Sequence, residues 1–125
     1  PWLLVLEPLS GYLLLAQKMW YESTKFCEGW NFGPRTESIS TVWDVATKVV
    51  KNYGSGELKD ISVPDALHEA KLLMLDISKA MLRLGWETMM KIEQCMKLLV
   101  DWYRKNQSGA VYQLCVGEIN QYLEK

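Results

Sequence analysis

Apolar residues recur every three or four positions in three long segments of this sequence, and that spacing constrains the fold more than any other feature. An α-helix places residues at this spacing on one face. The pattern therefore predicts helices over 39–53, 91–105 and 111–123. The three apolar stripes are Ile39, Val42, Trp43, Ala46, Val49, Val50 and Tyr53; Ile92, Cys95, Met96, Leu99, Trp102 and Tyr103; and Val111, Leu114, Cys115, Ile119, Tyr122 and Leu123.

Weaker signals predict two further helices and several helix ends. Helical spacing behind a proline predicts a helix over 8–22. A short helix is predicted before Gly85, because glycine commonly ends a helix in the left-handed conformation. By the same argument Gly54 is predicted to end the second helix, which Ser38 or Ser40 is predicted to cap.

Four short segments lack the helical spacing and are predicted to be extended. A chain of 125 residues suits one domain. The predicted fold class is therefore mainly α with short strands, an α+β fold, in a single domain spanning 1–125. The segments predicted to be extended or to form strands are 2–6, 30–32, 57–63 and 72–75.

Charge and hydrophobicity exclude several classes of partner. Lys plus Arg is 14 and Asp plus Glu is 15, which gives a net charge of −1. Binding to nucleic acid requires a basic excess to neutralise phosphates, so no nucleic-acid partner is predicted. The chain holds no run of about 20 apolar residues, so no membrane partner is predicted either. Its first residue is proline rather than methionine, from which we expect a processing event or an upstream segment.

The cysteines and the single histidine predict no metal centre. Cys27, Cys95 and Cys115 are odd in number and widely spaced, which argues against a disulfide framework and against a zinc site. We expect all three to be small buried apolar residues in a reducing compartment. With His68 as the only histidine, no Cys/His cluster forms in the sequence.

Few residues are suited to binding chemistry. His68 and Glu69 are adjacent in a predicted loop, where a polar pair either binds a ligand or is merely solvated. Glu7 precedes a predicted helix, where its carboxylate either complements the helix dipole or faces a ligand. Trp43 and Trp102 lie on helical stripes, which favours a role in the core over a stacking surface. No nucleophile has a base beside it and no glycine-rich loop joins a strand to a helix, so no catalytic or cofactor-binding residue is predicted.

Several runs of the sequence together resemble the CDP-glucose 4,6-dehydratases, a branch of the extended short-chain dehydrogenases. The run at 1–13 resembles their Pro-Trp-x-x-Val-Leu-Glu-Pro-Leu-Ser-Gly-Tyr-Leu segment, and 30–34 resembles their Trp-Asn-Phe-Gly-Pro. The resemblance spans nearly the whole chain. The runs that follow in the family's order are His-Glu-Ala at 68–70, Leu-Asp-x-Ser-Lys-Ala at 75–80, Leu-Gly-Trp at 84–86 and Asp-Trp-Tyr at 101–103.

The resemblance implies the C-terminal substrate-binding lobe of such an enzyme, with the Rossmann portion missing. The full-length family uses NAD as its cofactor and removes water from CDP-glucose to give CDP-4-dehydro-6-deoxyglucose. The family's glycine-rich NAD loop and catalytic Tyr-x-x-x-Lys pair have no counterpart here, so whether the chain is itself an enzyme stays open. The family also implies a cytoplasmic location. By position, the residues implied to contact the nucleotide sugar are Trp2, Glu7, His68 and Glu69.

One departure from the family leaves alternatives open. The family usually has Gln-His where this chain has Leu3-Leu4. A stand-alone helical interaction module derived from the lobe is one alternative, and a lobe of another nucleotide-sugar epimerase or dehydratase is the other. A lobe without its Rossmann portion is expected to expose an apolar face. We therefore predict self-association, or binding to the missing half.

Overall fold

Helices dominate the computed structural model, which describes residues 2–62, 73–106 and 109–125. The helices predicted from the apolar spacing are confirmed, with ends within three residues of those expected. None of the helices in the described ranges combines the length and the apolar character needed to cross a bilayer. The longer helices are α1 (Leu6–Tyr21), α2 (Val42–Tyr53), α3 (Ile92–Asn106) and α4 (Val111–Leu123); the shorter ones are 3₁₀ turns at Ser23–Lys25 and Thr36–Ser38 and a π-helical turn at Ala80–Leu84.

The predicted short strands are wrong, because the described parts of the chain contain no strand. A strand needs a neighbouring strand to take its backbone hydrogen bonds. Around 30–32 the structure instead shows side-chain donors that bond to backbone carbonyls elsewhere in the chain. The indole of Trp30 donates to the carbonyl of Phe26 at 3.0 Å, and the amide of Asn31 donates to the carbonyl of Asp76 at 3.2 Å. Residues 63 and 72, at the edges of two predicted segments, lie outside the described residues.

A capping box begins α2. Thr41 Oγ1 accepts a hydrogen bond from the backbone N–H of Asp44 at 3.1 Å, and the Asp44 carboxylate accepts one from the backbone N–H of Thr41 at 2.9 Å. The prediction that Ser38 or Ser40 caps this helix is therefore wrong. Thr41 forms the cap rather than either serine because an acidic residue follows it three positions later. The two side chains together accept hydrogen bonds from two backbone N–H groups.

Two predicted helix ends are confirmed. Gly54 ends α2 with a φ of 79°, and Gly85 ends the π-helical turn with a φ of 70°. Side chains other than glycine seldom adopt this left-handed conformation, because Cβ then crowds the backbone. Both helix ends could therefore be predicted from the sequence.

The buried residues form two clusters. One packs α1 against the loop at 26–32 and the π-helical turn, and the other joins α2, α3 and α4. Most long helices thus contribute only one face to a small core. The first cluster is Phe26, Phe32, Ile77, Ala80, Leu84 and Trp86, and the second is Val45, Met90, Cys95, Met96, Leu98 and Tyr122.

The buried face of α3 differs from the predicted stripe. Leu98 and Val100 are buried, whereas Leu99 and Tyr103 are exposed. The helix packs against both α2 and α4, so its buried residues are not confined to the single predicted stripe. Trp43 is 53% exposed, so the expectation that it belongs to the core is also wrong.

The three cysteines have different environments. Cys95 is buried, but Cys27 and Cys115 are exposed, so the expectation of three buried cysteines is wrong for two of them. All three are free thiols. Burial raises the pKa of the Cys95 thiol, which keeps it protonated and inert.

Candidate functional site

A fully buried carboxylate lies at the centre of the fold. Glu7, in the first turn of α1, has 0% of its surface exposed. Its Oε1 accepts a hydrogen bond from the backbone N–H of Met90 at 2.8 Å, and the N–H of Met89 lies 3.1 Å from both carboxylate oxygens. Its Oε2 accepts the phenolic O–H of Tyr122 at 2.9 Å. The chain's own donors therefore occupy both oxygens, and none of the side chain is open to a ligand in this structure.

Ser10 and Trp86 extend this hydrogen-bond network. The Ser10 hydroxyl donates to the carbonyl of Glu7 at 2.6 Å, and the Trp86 indole N–H lies 3.0 Å from Ser10 Oγ. The Tyr122 hydroxyl lies 3.1 Å from the same Ser10 oxygen. We call Glu7, Ser10, Trp86, Tyr122 and the N–H groups of 89–90 the Glu7 network. It ties α1, the loop at 86–90 and α4 together.

Burial raises the pKa of Tyr122 to about 12. The neighbouring carboxylate of Glu7 acts in the same direction, since a phenolate beside it would be a second negative charge. The hydrogen bond between the Tyr122 hydroxyl and Ser10 Oγ opposes this rise in the pKa. Tyr122 is therefore a neutral hydrogen-bond donor at physiological pH and has no role as a base.

The sequence signal for the Glu7 network lay in the runs that resemble the family. Glu7, Ser10 and Gly11 belong to the first of these runs, and Trp86 ends the Leu-Gly-Trp run. The structure brings the two runs into direct contact although 76 positions separate Ser10 from Trp86. Tyr122 had no such signal beyond its place on a helical stripe. The matched motifs thus account for the scaffold rather than for an open pocket.

The described residues do not bring the four predicted substrate-binding residues together. Trp2 precedes α1 and is 39% exposed, whereas Glu7 faces the interior. His68 and Glu69 lie outside the described residues. A nucleotide-sugar site formed by Trp2, His68 and Glu69 therefore stays a prediction.

Leu4, one of the two leucines that stand where the family usually has a polar pair, contributes to an apolar surface. Leu4 packs against the second core cluster. It also lines a cavity of about 330 Å³ between the start of α1 and the helices α3 and α4, together with Trp102, Tyr103 and Ile119. Apart from the carboxylate of Glu118, the residues that line this cavity are mainly apolar. We call this cavity the apolar groove.

A second cavity, of about 600 Å³, lies between α3 and α4. Its volume is in the range of small-molecule sites. Its wall combines Trp102 with amides and charges of both signs, among them Lys97, Asp101 and Glu118. Partial burial raises the pKa of Glu118, while Lys105 lowers it and Asp101 raises it further. This α3–α4 cleft has hydrogen-bonding groups suited to a polar ligand.

The described residues do not fit an NAD site. The close glycine pair Gly54 and Gly56 follows the C-terminus of α2, where the helix dipole is negative and repels a pyrophosphate. Tyr21 and Lys25 have the spacing of a catalytic pair, but Tyr21 ends α1 and the Lys25 ammonium is paired with Glu22 at 2.7 Å. Within 2–62, 73–106 and 109–125, no three His, Cys, Asp or Glu side chains converge as a metal site.

Comparison with known proteins supports the family resemblance over part of an enzyme. The chain is 39% identical over 124 residues, or 98% of its length, to a protein of Salmonella typhimurium named CDP-glucose 4,6-dehydratase. The match covers 34% of that relative, so the chain spans about a third of the length of the curated protein it matches. No protein-family model matches the chain. The comparison thus relates the chain to a fragment of such an enzyme.

Proposed function

We propose that this chain is the nucleotide-sugar-binding portion of a CDP-glucose 4,6-dehydratase and supplies no catalytic group of its own. The observation that carries the proposal is the 39% identity to a protein of that name across 98% of this chain. The direct contact between Ser10 and Trp86, which belong to two of the matching runs, supports a shared scaffold. The NAD loop and the Tyr-x-x-x-Lys pair have no counterpart, so the proposal assigns substrate binding alone.

In this proposal Trp2, His68 and Glu69 contact CDP-glucose, and Glu7 is a positioning residue. The Glu7 network fixes the N-terminal end of α1, and Trp2 lies four residues before that helix begins. NAD, which supplies hydride transfer in the family, would be held by the remaining part of such an enzyme. The residues of this chain would bind the sugar nucleotide and orient it, in the cytoplasm.

Calorimetric titration tests the proposal. We expect CDP-glucose to bind to the chain more tightly than UDP-glucose or CDP, because the proposed site recognises both the base and the sugar. His68→Ala and Glu69→Ala should each weaken that binding. Glu57→Ala removes an exposed glutamate from another loop and serves as the matched control, with no expected change.

Two results would contradict this assignment. Preferential binding of UDP-glucose would favour a lobe of another nucleotide-sugar epimerase or dehydratase. Binding that is lost in Lys97→Ala but kept in His68→Ala would place the ligand in the α3–α4 cleft instead. If a folded sample binds no nucleotide, the titration is repeated with a supplied NAD-binding portion, and continued absence of binding refutes the substrate-binding role.

A stand-alone helical interaction module is the second candidate function. It is favoured by the apolar residues that the fold leaves exposed along α1 and by the leucines that replace the usual polar pair at 3–4. Such a module would bind another protein surface and no nucleotide sugar. The titration discriminates between the two, since only the dehydratase portion should respond to CDP-glucose.

A further inference from the structure

The α3–α4 cleft is elongated along the two helices that form it. These helices follow each other in the chain, so both walls of the cleft come from residues that are close in sequence. From Gln94 to Lys105 the α3 wall runs for about 16 Å, since an α-helix rises about 1.5 Å per residue. The buried side chain of Leu98 contributes to the floor. A volume of about 600 Å³ in this shape accommodates a linear small molecule.

Gly117 leaves the backbone bare on the wall that α4 contributes to the cleft. It lies in the interior of α4, where glycine is less stable than alanine because its backbone has more freedom to lose. A Cβ at this position would meet no atom of the described residues within 4 Å, and its φ is not positive. Neither packing nor backbone conformation in the described fold therefore requires glycine here. The missing side chain widens the cleft and lets a ligand approach the helix backbone closely.

Charged groups of both signs line the cleft. Lys97, Lys105 and Lys125 supply positive charge, and Asp101 and Glu118 supply negative charge. The two carboxylates would repel an anion, and the three ammonium groups would repel a cation. Because the opposite charges largely cancel, the cleft has no strong field with which to attract an ion. The charges therefore favour a ligand that is polar but neutral.

The amide side chains of the cleft suit hydroxyl groups. Gln94, Gln113 and Gln121 line it, and an amide side chain both donates and accepts hydrogen bonds. The Gln94 side-chain oxygen accepts a hydrogen bond from the backbone N–H of Lys91 at 3.1 Å, which leaves its NH₂ group to donate. A hydroxyl group also donates and accepts, so it can bind to amides, ammonium groups and carboxylates alike. A ligand with several hydroxyl groups can thus use every kind of polar group in the cleft.

Trp102 and Glu118 line both this cleft and the apolar groove, so they form the boundary between the two cavities. The rings of Trp102 and Tyr103 meet at 84° with centroids 5.3 Å apart, so Tyr103 covers at most one face of the indole. A flat indole offers an apolar surface on which the C–H face of a sugar ring can pack. Glu118 is partly desolvated, and a hydroxyl donor would replace the hydration that its carboxylate has lost.

We propose that the α3–α4 cleft binds a neutral oligosaccharide, with a pyranose ring packed on Trp102 and its hydroxyl groups donating to Glu118. A pyranose ring combines an apolar C–H face with several hydroxyl groups, and the indole, amides and carboxylates of the cleft match that combination. The linear shape of the cleft favours a short chain of sugar rings over a single ring. The proposal goes beyond the proposed function, because these contacts are distinct from Trp2, His68 and Glu69 and no nucleotide is needed.

Saturation-transfer NMR of the chain with maltotriose, and separately with cellotriose, tests the site. Because the cleft is open along its length, we expect dissociation constants on the order of 1 mM for at least one of these neutral sugars. Gly117→Leu fills the cleft and should raise the dissociation constant by roughly 10-fold or more. Its melting temperature should not fall, because leucine favours a helix more than glycine does, so the lost binding cannot be ascribed to unfolding. Glu118→Gln should raise the dissociation constant by roughly 5-fold, since hydrogen bonds to a neutral acceptor are weaker. Tyr112→Leu, which places a leucine on an exposed position of the same helix, is the matched control and should leave binding unchanged.

Four results would overturn the proposal. The first is no saturation transfer to either sugar, at concentrations on the order of 10 mM, from a sample that circular dichroism shows to be folded. The second is sugar binding that Gly117→Leu leaves unchanged. The third is tighter binding of spermine or tripolyphosphate than of either sugar, which would make the cleft a site for ions. The fourth is sugar binding that is lost in His68→Ala but kept in Glu118→Gln, which would move the sugar to the proposed nucleotide-sugar site. None of these measurements involves a nucleotide, so failure of the proposed function would leave this result unaffected.

Discussion

Replacing Glu7 by alanine should destabilise this protein more than any substitution of an exposed glutamate. The change removes the acceptor for the N–H groups of Met89 and Met90. A buried donor without an acceptor costs about 1–3 kcal/mol, while the Tyr122 hydroxyl can still turn to Ser10. Removing a buried charge recovers part of its desolvation cost. Two such donors give a loss of about 2–6 kcal/mol before this recovery, so we expect the free energy of unfolding to fall by about 2–4 kcal/mol.

Glu7→Gln tests the charge of this side chain alone, because glutamine has nearly the same shape as glutamate. The amide keeps one oxygen for the N–H of Met90 and loses the negative charge. Hydrogen bonds to charged groups are about twice as strong as neutral ones, so we expect a loss of about 1–2 kcal/mol. Tyr122→Phe should cost a similar amount, and the double variant should cost less than the two single changes added together, because both remove the same contact.

Urea unfolding followed by tryptophan fluorescence measures these changes, since Trp86 belongs to the network. Glu57→Ala is the matched control and should stay within about 0.5 kcal/mol of the parent chain. If Glu7→Ala is as mild as Glu57→Ala, the carboxylate does not hold these elements together. Strict additivity of Glu7→Gln and Tyr122→Phe would likewise refute a direct contact between the two side chains.

Three other substitutions probe packing, capping and pH. Gly11→Ala should lower the free energy of unfolding, measured in urea, by about 1–3 kcal/mol, because the new Cβ would lie 2.4 Å from ring carbons of the buried Phe32. Gly29→Ala is the control, since its Cβ would meet no atom within 4 Å. Equal effects of the two substitutions would contradict the argument. Thr41→Ala should cost about 1 kcal/mol by loss of the capping box, and an unchanged melting temperature would argue against that box. Because the folded state raises the pKa of Tyr122 from 10.0 to about 12, the chain should lose stability relative to Tyr122→Phe as pH rises through that window. Urea unfolding at about pH 9 and about pH 11 measures this difference, and a constant gap would refute it.

Helices and their ends were predictable because their causes are local. Spacing of apolar residues selects a helix from neighbours three and four positions away, and α4 spans the residues predicted. The left-handed conformation at Gly54 and Gly85 likewise depends on one residue. The strand predicted at 30–32 from the alternation of apolar residues is not formed, because a strand exists only if another segment pairs with it.

The predicted substrate-binding residues show where local reasoning ends. From the residues alone, the position of Glu7 favoured an acid that complements a helix dipole, and only the family resemblance implied a ligand contact. The fold gives it the N–H groups of 89–90 and the hydroxyl of Tyr122, more than 80 positions away. Contacts at that separation leave no periodic signal in the chain. Similarity to known runs identified Glu7 and Trp86 as important, but it did not distinguish a scaffold from a pocket.

The sequence by itself determined the helices, the glycine stops and the similarity to part of a CDP-glucose 4,6-dehydratase. Only the tertiary structure decided which helix faces are buried and that Glu7 is enclosed. The physical reason is that an apolar stripe shows that one face of a helix must be buried, but it does not show which part of the chain will cover that face. Leu14 and Leu15 of α1 pack against the first core cluster, and the Glu7 network holds the same side of the helix against the loop at 86–90.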